Sequence, residues 1–366
     1  MNTILIGVGA AGNKAVQEAI DCNLYKEEET IMVNSTSKDF PSEYNGNKII
    51  LSPDDTGCGK ERSIAKEYCL NAIKNGKFNI NIDSEYEIVI ICTSVEGGTG
   101  SGSTPIIAKF FNQVMRKNVH IIAFTGFEED VRGLANTVEF FQEVESNIII
   151  QTISNASFLN QANMNKFKAE ELADKEMCKR IRVLTGKDFI NSKQNIDDTD
   201  IKKVSNTSGY MTVEYEQLRK PLVDQDDFNR IIKKMIYNSH SIKSKDPGCN
   251  RLGVILNISP DSEDAIDYTF SDIINTYGMP YEKFLQEQWD GKKEYIAFIV
   301  SGMQMPLEEI KSVYERYKEQ TERVNKESDN FFKEMNELSL NDEDKKFDMI
   351  KNKSAGIELG DFLNQF

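Results

Sequence analysis

The sequence predicts an α/β protein. A Rossmann-like, parallel-sheet domain is followed by a long central helix, a smaller α/β domain, a long C-terminal helix and a flexible tail. Three observations lead there. Apolar runs alternate with helical patterns through the first half, the order that produces a parallel sheet covered on both faces. Glycine-rich loops follow three of the apolar runs: "GVGAAGN", "DDTGCGKER" and "EGGTGSGST". The chain has 366 residues, 39% hydrophobic and 28% charged, enough for a sizeable core in two or three domains.

The first strand is read at residues 3–7. It is apolar, lacks a basic flank and runs straight into glycines, so it is a strand and not a signal peptide. Further strands are read at 30–34, 48–51, 87–92, 119–124 and 148–153. Helices fall between them at 13–22, 60–75, 105–116 and 137–146. The third of these has Pro105 near its first turn, where a missing N–H is harmless. A central helix spans 167–185, with Phe167, Leu172, Met177, Ile181 and Leu184 at roughly helical spacing. The second half offers strands at 211–215, 252–258 and 295–300 and helices at 226–237 and 262–276. The charged segment from Pro306 reads as one long helix, and 341–366 as a disordered tail with a last apolar cluster, "IELGDFLNQF". The domain boundaries expected are 1–166, 167–194, 195–305, 306–340 and 341–366.

Lys and Arg number 44 against 59 Asp and Glu, a formal net charge of −15. Such a surface repels nucleic acid over most of its area. The basic stretch "RIIKKMIYNSHSIKSK" reads as a wetted helix face and a loop. No apolar run approaches the ~20 residues that cross a bilayer. The six cysteines include no C-x-x-C pair and the histidines number two. That excludes a typical zinc site and points to a reducing cytoplasm. Cys58 reads as a small residue in a glycine loop.

Glycine backbone between a strand and a helix can approach a ligand closely, and the helix aims free N–H groups and its positive end at that ligand. Such sites take anions, most often phosphate. "GVGAAGN" alone fits a dinucleotide site, but that reading wants an acidic residue closing the second strand. Asn34 stands there. A Walker A loop needs G-K-[ST] after its glycines, and none is present. Two glycine loops on one sheet suit a triphosphate held from two sides. The third would bring backbone N–H groups and Lys60 or Arg62 to a terminal phosphate. An NAD-dependent oxidoreductase is the alternative from another class.

With these loops in view, the chain resembles the tubulin/FtsZ superfamily over residues 1–305. "GGTGSG" at 97–102 resembles that family's signature loop. "GVGAAGN" is similar to its first nucleotide loop, one glycine shorter than in typical FtsZ and with Ala10 and Ala11 in place of glycines. "VNST" resembles the second loop and "TGCGKER" the third. The resemblance implies GTP and GDP as ligands, Mg²⁺ as cofactor and GTP hydrolysis as the reaction. It assigns phosphate and loop contacts to Gly9, Ala10, Ala11, Asn13, Asn34, Gly57, Lys60, Gly97, Gly98, Thr99, Gly100, Ser101 and Gly102. It assigns the ribose to Glu128 and Arg132, and guanine to Asn155 and Asp174. Asn195, Asp197 and Asp200, in "QNIDDTDIKKV", match the N-x-D-x-x-D of the GTPase-activating loop, which acts on the next subunit of a head-to-tail filament.

Blander readings stand beside these. Glu128 and Arg132 also suit a surface i,i+4 ion pair, Asp174 a solvated helix carboxylate, and Asp197 with Asp198 the cap of a helix at 199–204. Glu96 replaces a small residue of the family; it faces outward or reaches Mg²⁺ through water. The departures from FtsZ point to the TubZ branch, which segregates plasmid and phage DNA and which the chain resembles down to a clostridial phage member. That implies a cytoplasmic filament whose tail docks a DNA-bound, TubR-like adaptor, with no direct nucleic acid or membrane contact. An FtsZ-like role in cell division is the alternative within the superfamily.

Overall fold

Four of the first five strands, at Thr3–Val8, Thr30–Asn34, Ile88–Ser94 and Asn118–Thr125, are buried at almost every position, as expected when helices cover both faces of a parallel sheet. The computed structural model describes residues 2–78, 86–190, 195–244 and 247–337. In chain order the strands are β1 (Thr3–Val8), β2 (Thr30–Asn34), β3 (Asn47–Ile50), β4 (Ile88–Ser94), β5 (Asn118–Thr125) and β6 (Ile149–Ser154), then β7 (Gly209–Gln217), β8 (Arg251–Asn257), β9 (Glu282–Gln288) and β10 (Tyr295–Met303). The helices are α1 (Gly9–Asp21), α2 (Arg62–Lys74), α3 (Gly98–Lys109), α4 (Val131–Glu143), α5 (Lys166–Thr185), α6 (Asp198–Ser205), α7 (Gln225–Tyr237), α8 (Ser271–Tyr277) and α9 (Leu307–Glu337).

All ten strands join one sheet in the order β3-β2-β1-β4-β5-β6-β7-β10-β8-β9. The first six are parallel, and the order reverses between β1 and β4. In open parallel sheets that switch point is where ligands bind, outside the strands' carboxyl ends. β7 joins β6 through two register pairs, then β7, β10 and β8 run antiparallel. The chain divides into two compact units, Met1–Glu315 and Arg316–Phe366.

Alternation along β1 sends Ile4, Ile6 and Val8 into one core with Phe111 and Phe140, and Leu5 into the other with Val16, Met177 and Ile181. α5 contributes a stripe of Ala169, Ala173, Met177, Ile181 and Leu184, each 1% exposed or less. Full burial of its larger members stabilises by roughly 1.5–3 kcal/mol each. Asn165 caps α5 by accepting from the Lys168 N–H, and Gly186 closes it in the left-handed region at φ 63°. Phe167, expected in this stripe, is 75% exposed, because it lies in the first turn beyond the covered face.

Other expectations change with tertiary context. The helix expected at 105–116 begins at Gly98, so Pro105 is its eighth residue and lies inside it. Proline cannot donate to the carbonyl four residues back. Here the Arg62 Nη2 donates to that Ser101 carbonyl at 2.9 Å, which removes the penalty of an orphaned acceptor. The helix expected at 262–276 is two pieces, a short 3₁₀ turn at Pro260–Ala265 and α8, parted where Phe270 adopts φ 50°. β9, "EKFLQEQ", was not expected. It is the last strand of the sheet and pairs with β8, and charge on an edge strand suppresses pairing with another chain. Residues 341–366 lie outside the described residues.

Candidate nucleotide-binding site

The glycine loops after β1 and β4 open directly into α1 and α3 at the switch point. Gly9 has φ 79°, and a Cβ on it would lie 3.1 Å from the Gly100 nitrogen, so the two first turns converge in a way only glycine permits. Val8 and Gly97, the N-cap residues, provide no side-chain cap, which leaves the first N–H donors of both helices for another acceptor. Beneath them lies a cavity of about 330 Å³ lined by Val8, Gly9, Ala10, Ala11, Asn34, Ser35, Asp39, Gly57, Cys58, Gly59, Lys60, Ser94, Gly97, Gly98, Thr99 and Gly100. Loops from three strand ends, the first, third and fourth, thus meet with the end of β2 around one volume. Thr99 Oγ1 is 2.8 Å from Ser35 Oγ and 3.1 Å from Cys58 Sγ, which fixes the threonine hydroxyl at the cavity wall.

The glycines of the signature loop do different jobs. A Cβ on Gly98 would lie 2.6 Å from the Lys60 backbone, and one on Gly100 2.5 Å from Thr93 Oγ1. Both point into protein, not into the space expected for a phosphate oxygen. A Cβ on Gly97 meets nothing within 4 Å, and Gly97 lines the cavity with an ordinary φ of −76°. Gly98→Ala is therefore expected to destabilise the fold, by about 1–3 kcal/mol as overpacking does. Gly97→Val should keep the melting temperature and weaken nucleotide binding by about tenfold or more, by the volume argument alone. A melt paired with a nucleotide titration checks both. Unchanged affinity in the Gly97 variant would remove this cavity as the phosphate site.

Asn13, Ser101 and Gly102 do not line the cavity. The Asn13 Nδ2 donates to the Val33 carbonyl at 3.4 Å, the Ser101 hydroxyl donates to the Gly97 carbonyl, and a Cβ on Gly102 would lie 2.8 Å from the Arg62 carbonyl where α2 and α3 pack. Glu128 precedes α4 in the left-handed region at φ 56°, so helical i,i+4 geometry with Arg132 does not apply. Arg132 pairs with Glu61 at 2.5 Å. Glu96 is half-buried and does not line the cavity. Its carboxylate accepts from the Glu128 N–H at 2.9 Å, Gly126 leaves it room, and burial raises its pKa.

Asn155 and Asp174 lie on two elements that pack together. Asn155 opens a short 3₁₀ turn, Asn155–Phe158, at the carboxyl end of β6, and α5 packs against both that turn and α1. Asn155 is buried, and its Oδ1 has no partner. Burial pushes the Asp174 carboxyl up to about 8, Glu18 and Glu170 add to the shift, and Lys14 opposes it. Asp174 is thus no solvated helix carboxylate. An orphaned buried acceptor and a carboxyl whose pKa is raised by burial both mark candidate functional residues.

Asp197 caps α6 by accepting from the Asp200 N–H at 2.8 Å. The Asp200 carboxylate lies 3.9 Å from the Lys203 ammonium. On the next turn, Lys202 pairs with Glu87 at 2.8 Å, immediately before β4 begins. The signature loop follows the other end of that strand, and seven residues span about 23 Å. α6 and the cavity therefore sit at opposite ends of the sheet's strands. Asn195 is exposed and lines a separate open cavity of about 540 Å³ with Tyr268, Phe270, Lys283 and Leu285.

Six cavity residues were missed in the sequence: Val8, Ser35, Asp39, Cys58, Gly59 and Ser94. Ser35 lies inside the "VNST" motif and was legible there. Asp39 returns to the cavity because a 3₁₀ turn at Ser37–Asp39 brings its carboxylate 3.3 Å from the Asn34 Nδ2, which no local signal announces. Among the described residues no group of three or more His, Cys, Asp or Glu side chains is placed to hold a metal ion, and no helix is long and apolar enough to cross a membrane.

Residues 2–163, which hold all three glycine loops, match the Tubulin/FtsZ family, GTPase domain. Among individual proteins, the tubulin-like protein TubZ of a Clostridium botulinum C phage is 23% identical over 98% of this chain and 97% of its own length. The cell division protein FtsZ of Mycoplasmopsis pulmonis is 27% identical over 57% of this chain and 53% of its own length. The chain spans about half the length of the curated FtsZ relatives it matches first. A GTPγS-form protofilament of TubZ from Bacillus thuringiensis serovar israelensis shares the fold, with TM-score 0.69 and 16% identity over 89% of this chain and 94% of that one.

Proposed function

We propose that this protein is a GTPase that polymerises head to tail, hydrolyses GTP at subunit interfaces, and serves DNA segregation through a DNA-bound adaptor. One observation carries the reading: the cavity and α6, which bears Asp200, lie at opposite ends of β4, a strand about 23 Å long. Neither end is complete alone, and stacking subunits along that axis brings the two together. A repeated contact of that kind does not close, so it yields a filament.

The cavity's donors suit phosphates: two uncapped helix starts, the Thr99 hydroxyl and the Lys60 ammonium. Asp39 and the hydroxyls of Ser35 and Thr99 form an all-oxygen donor set that fits a hard cation arriving with the nucleotide. Mg²⁺, when bound, neutralises charge on the phosphate oxygens. Asn155 and Asp174 supply an acceptor and a carboxylate for the donors of a guanine edge. A dinucleotide enzyme is less well supported, because Asn34 closes β2 and two anion loops meet at one switch point. The TubZ reading is supported over FtsZ by the extent of the likeness, nearly the whole chain against about half.

GTP should move the purified protein into the pellet on sedimentation and raise its light scattering, whereas NAD should do neither. No response to GTP would end the filament reading. Ending the chain at residue 340 should leave GTP-driven pelleting largely intact and weaken co-sedimentation of the adaptor on its DNA. Normal adaptor capture by the shortened chain would exclude the tail as the docking segment.

A further inference from the structure

Two ion pairs cross between the third glycine loop and the segment that starts α4. Lys60 Nζ lies 2.6 Å from Asp130 Oδ2, and Arg132 Nη2 lies 2.5 Å from Glu61 Oε1, so neighbours 60 and 61 are tied to 130 and 132. The backbone around them is fixed separately. The buried Asn136 Nδ2 donates to the Lys60 carbonyl at 3.1 Å and to the Glu96 carbonyl at 2.9 Å, tying both glycine loops to α4. Lys60 itself is held at φ 64°. What is free to move is its side chain, 54% exposed and lining the phosphate cavity. Its present partner Asp130 is 45% exposed, and exposed pairs are weak enough to exchange.

We propose that Asp130 sets the site's preference between nucleoside triphosphate and diphosphate by competing with the terminal phosphate for Lys60. This rests on the nucleotide reading above. A diphosphate filling the loops at Gly9 and Thr99 leaves the Lys60–Asp130 pair in place. A triphosphate places its extra, strongly charged group at the third loop and takes the ammonium from the carboxylate. Asp130 therefore acts as an internal stand-in for the terminal phosphate and lowers the advantage of the triphosphate. The hydrogen bond from Lys60 is the main cause that lowers the Asp130 pKa, so the competitor is ionised at neutral pH.

Asp130→Asn tests this cleanly. The side chain also caps α4 by accepting from the Gly133 N–H at 2.8 Å, and asparagine caps as well as aspartate. GTPγS and GDP are titrated below the concentration at which the protein sediments. The variant should bind GTPγS about 3–10-fold more tightly, with GDP affinity unchanged, as expected when a competing charge is lost. Lys60→Gln should weaken GTPγS about tenfold and spare GDP, and the double variant should match Lys60→Gln. An unchanged GTPγS-to-GDP ratio in either single variant overturns the role of Asp130. Failure of the unaltered protein to bind either nucleotide overturns the nucleotide reading, and this inference with it.

Discussion

Asp200→Ala is expected to bind GTP as the unaltered protein does and to hydrolyse it about 10²–10⁴-fold more slowly, the range for losing a group that orients or deprotonates an attacking water. Filaments should then form and persist, because their GTP-bound interfaces are no longer converted. Asp200 is a better test than Asp197 for a structural reason. The α6 cap uses the Asp197 carboxylate and the Asp200 backbone N–H, and alanine keeps that N–H. Asp197→Ala would remove the cap itself, at about 1 kcal/mol, and mix a folding defect with a catalytic one. The side-chain partner lost with Asp200 is Lys203, at 3.9 Å, an exposed pair of small worth. Mixing Asp200→Ala with Gly97→Val tests the geometry: the first supplies nucleotide, the second supplies Asp200, and mixed polymers should recover part of the turnover. A dispersed, monomeric Asp200→Ala protein with normal turnover would refute hydrolysis across an interface.

Guanine affinity is expected to rise about fiftyfold between pH 6 and pH 8. The Asp174 carboxyl sits at about 8 in the ligand-free protein, mainly through burial and then through Glu18 and Glu170. The N1–H and N2–H₂ donors of guanine require the carboxylate, so below that pKa each binding event must first release a proton. Linkage then makes affinity climb nearly tenfold per pH unit until the carboxyl is ionised, and flatten above it. The sign is opposite to that expected of a phosphate-dominated pH effect at the same site, where added positive charge at low pH favours the nucleotide. Asp174→Asn should flatten the profile and lose guanine-to-adenine discrimination, because the dry site then offers a wrongly matched edge. Calorimetry in two buffers of different ionisation enthalpy reads the proton directly. A pH-independent affinity, or no proton released at pH 7, would remove Asp174 from base recognition. Stability follows a different path. Because the folded pKa is raised, the protonated carboxyl stabilises the fold below the unfolded value near 3.8, and this contribution is lost as pH climbs through the folded value near 8.

Much of this protein is set by short-range features of the chain. Strand and helix alternation, three glycine loops, Asn34 closing β2 and the capping pattern at α6 are all local, because periodicity and turn chemistry act over a few residues. The carboxyl-end position of the site follows from them once the sheet is parallel. Tertiary structure decided the rest, and in each case the cause lies far along the chain. Pro105 sits inside α3 because Arg62, 39 residues away, takes the Ser101 carbonyl. Phe270 breaks a periodic segment that reads as one helix, and the charged strand β9 exists because β8 offers it an edge. The glycines of the signature loop are equivalent in sequence, yet Gly98 and Gly100 face protein and Gly97 faces the cavity, since direction depends on which strand ends converge there. Glu96 turns to the Glu128 N–H, and burial raises the Asp174 pKa where α1 and the 155–158 turn pack against α5. Residue types mark what chemistry is on hand, but only the packed sheet sets which groups share a volume and which stand a strand's length apart.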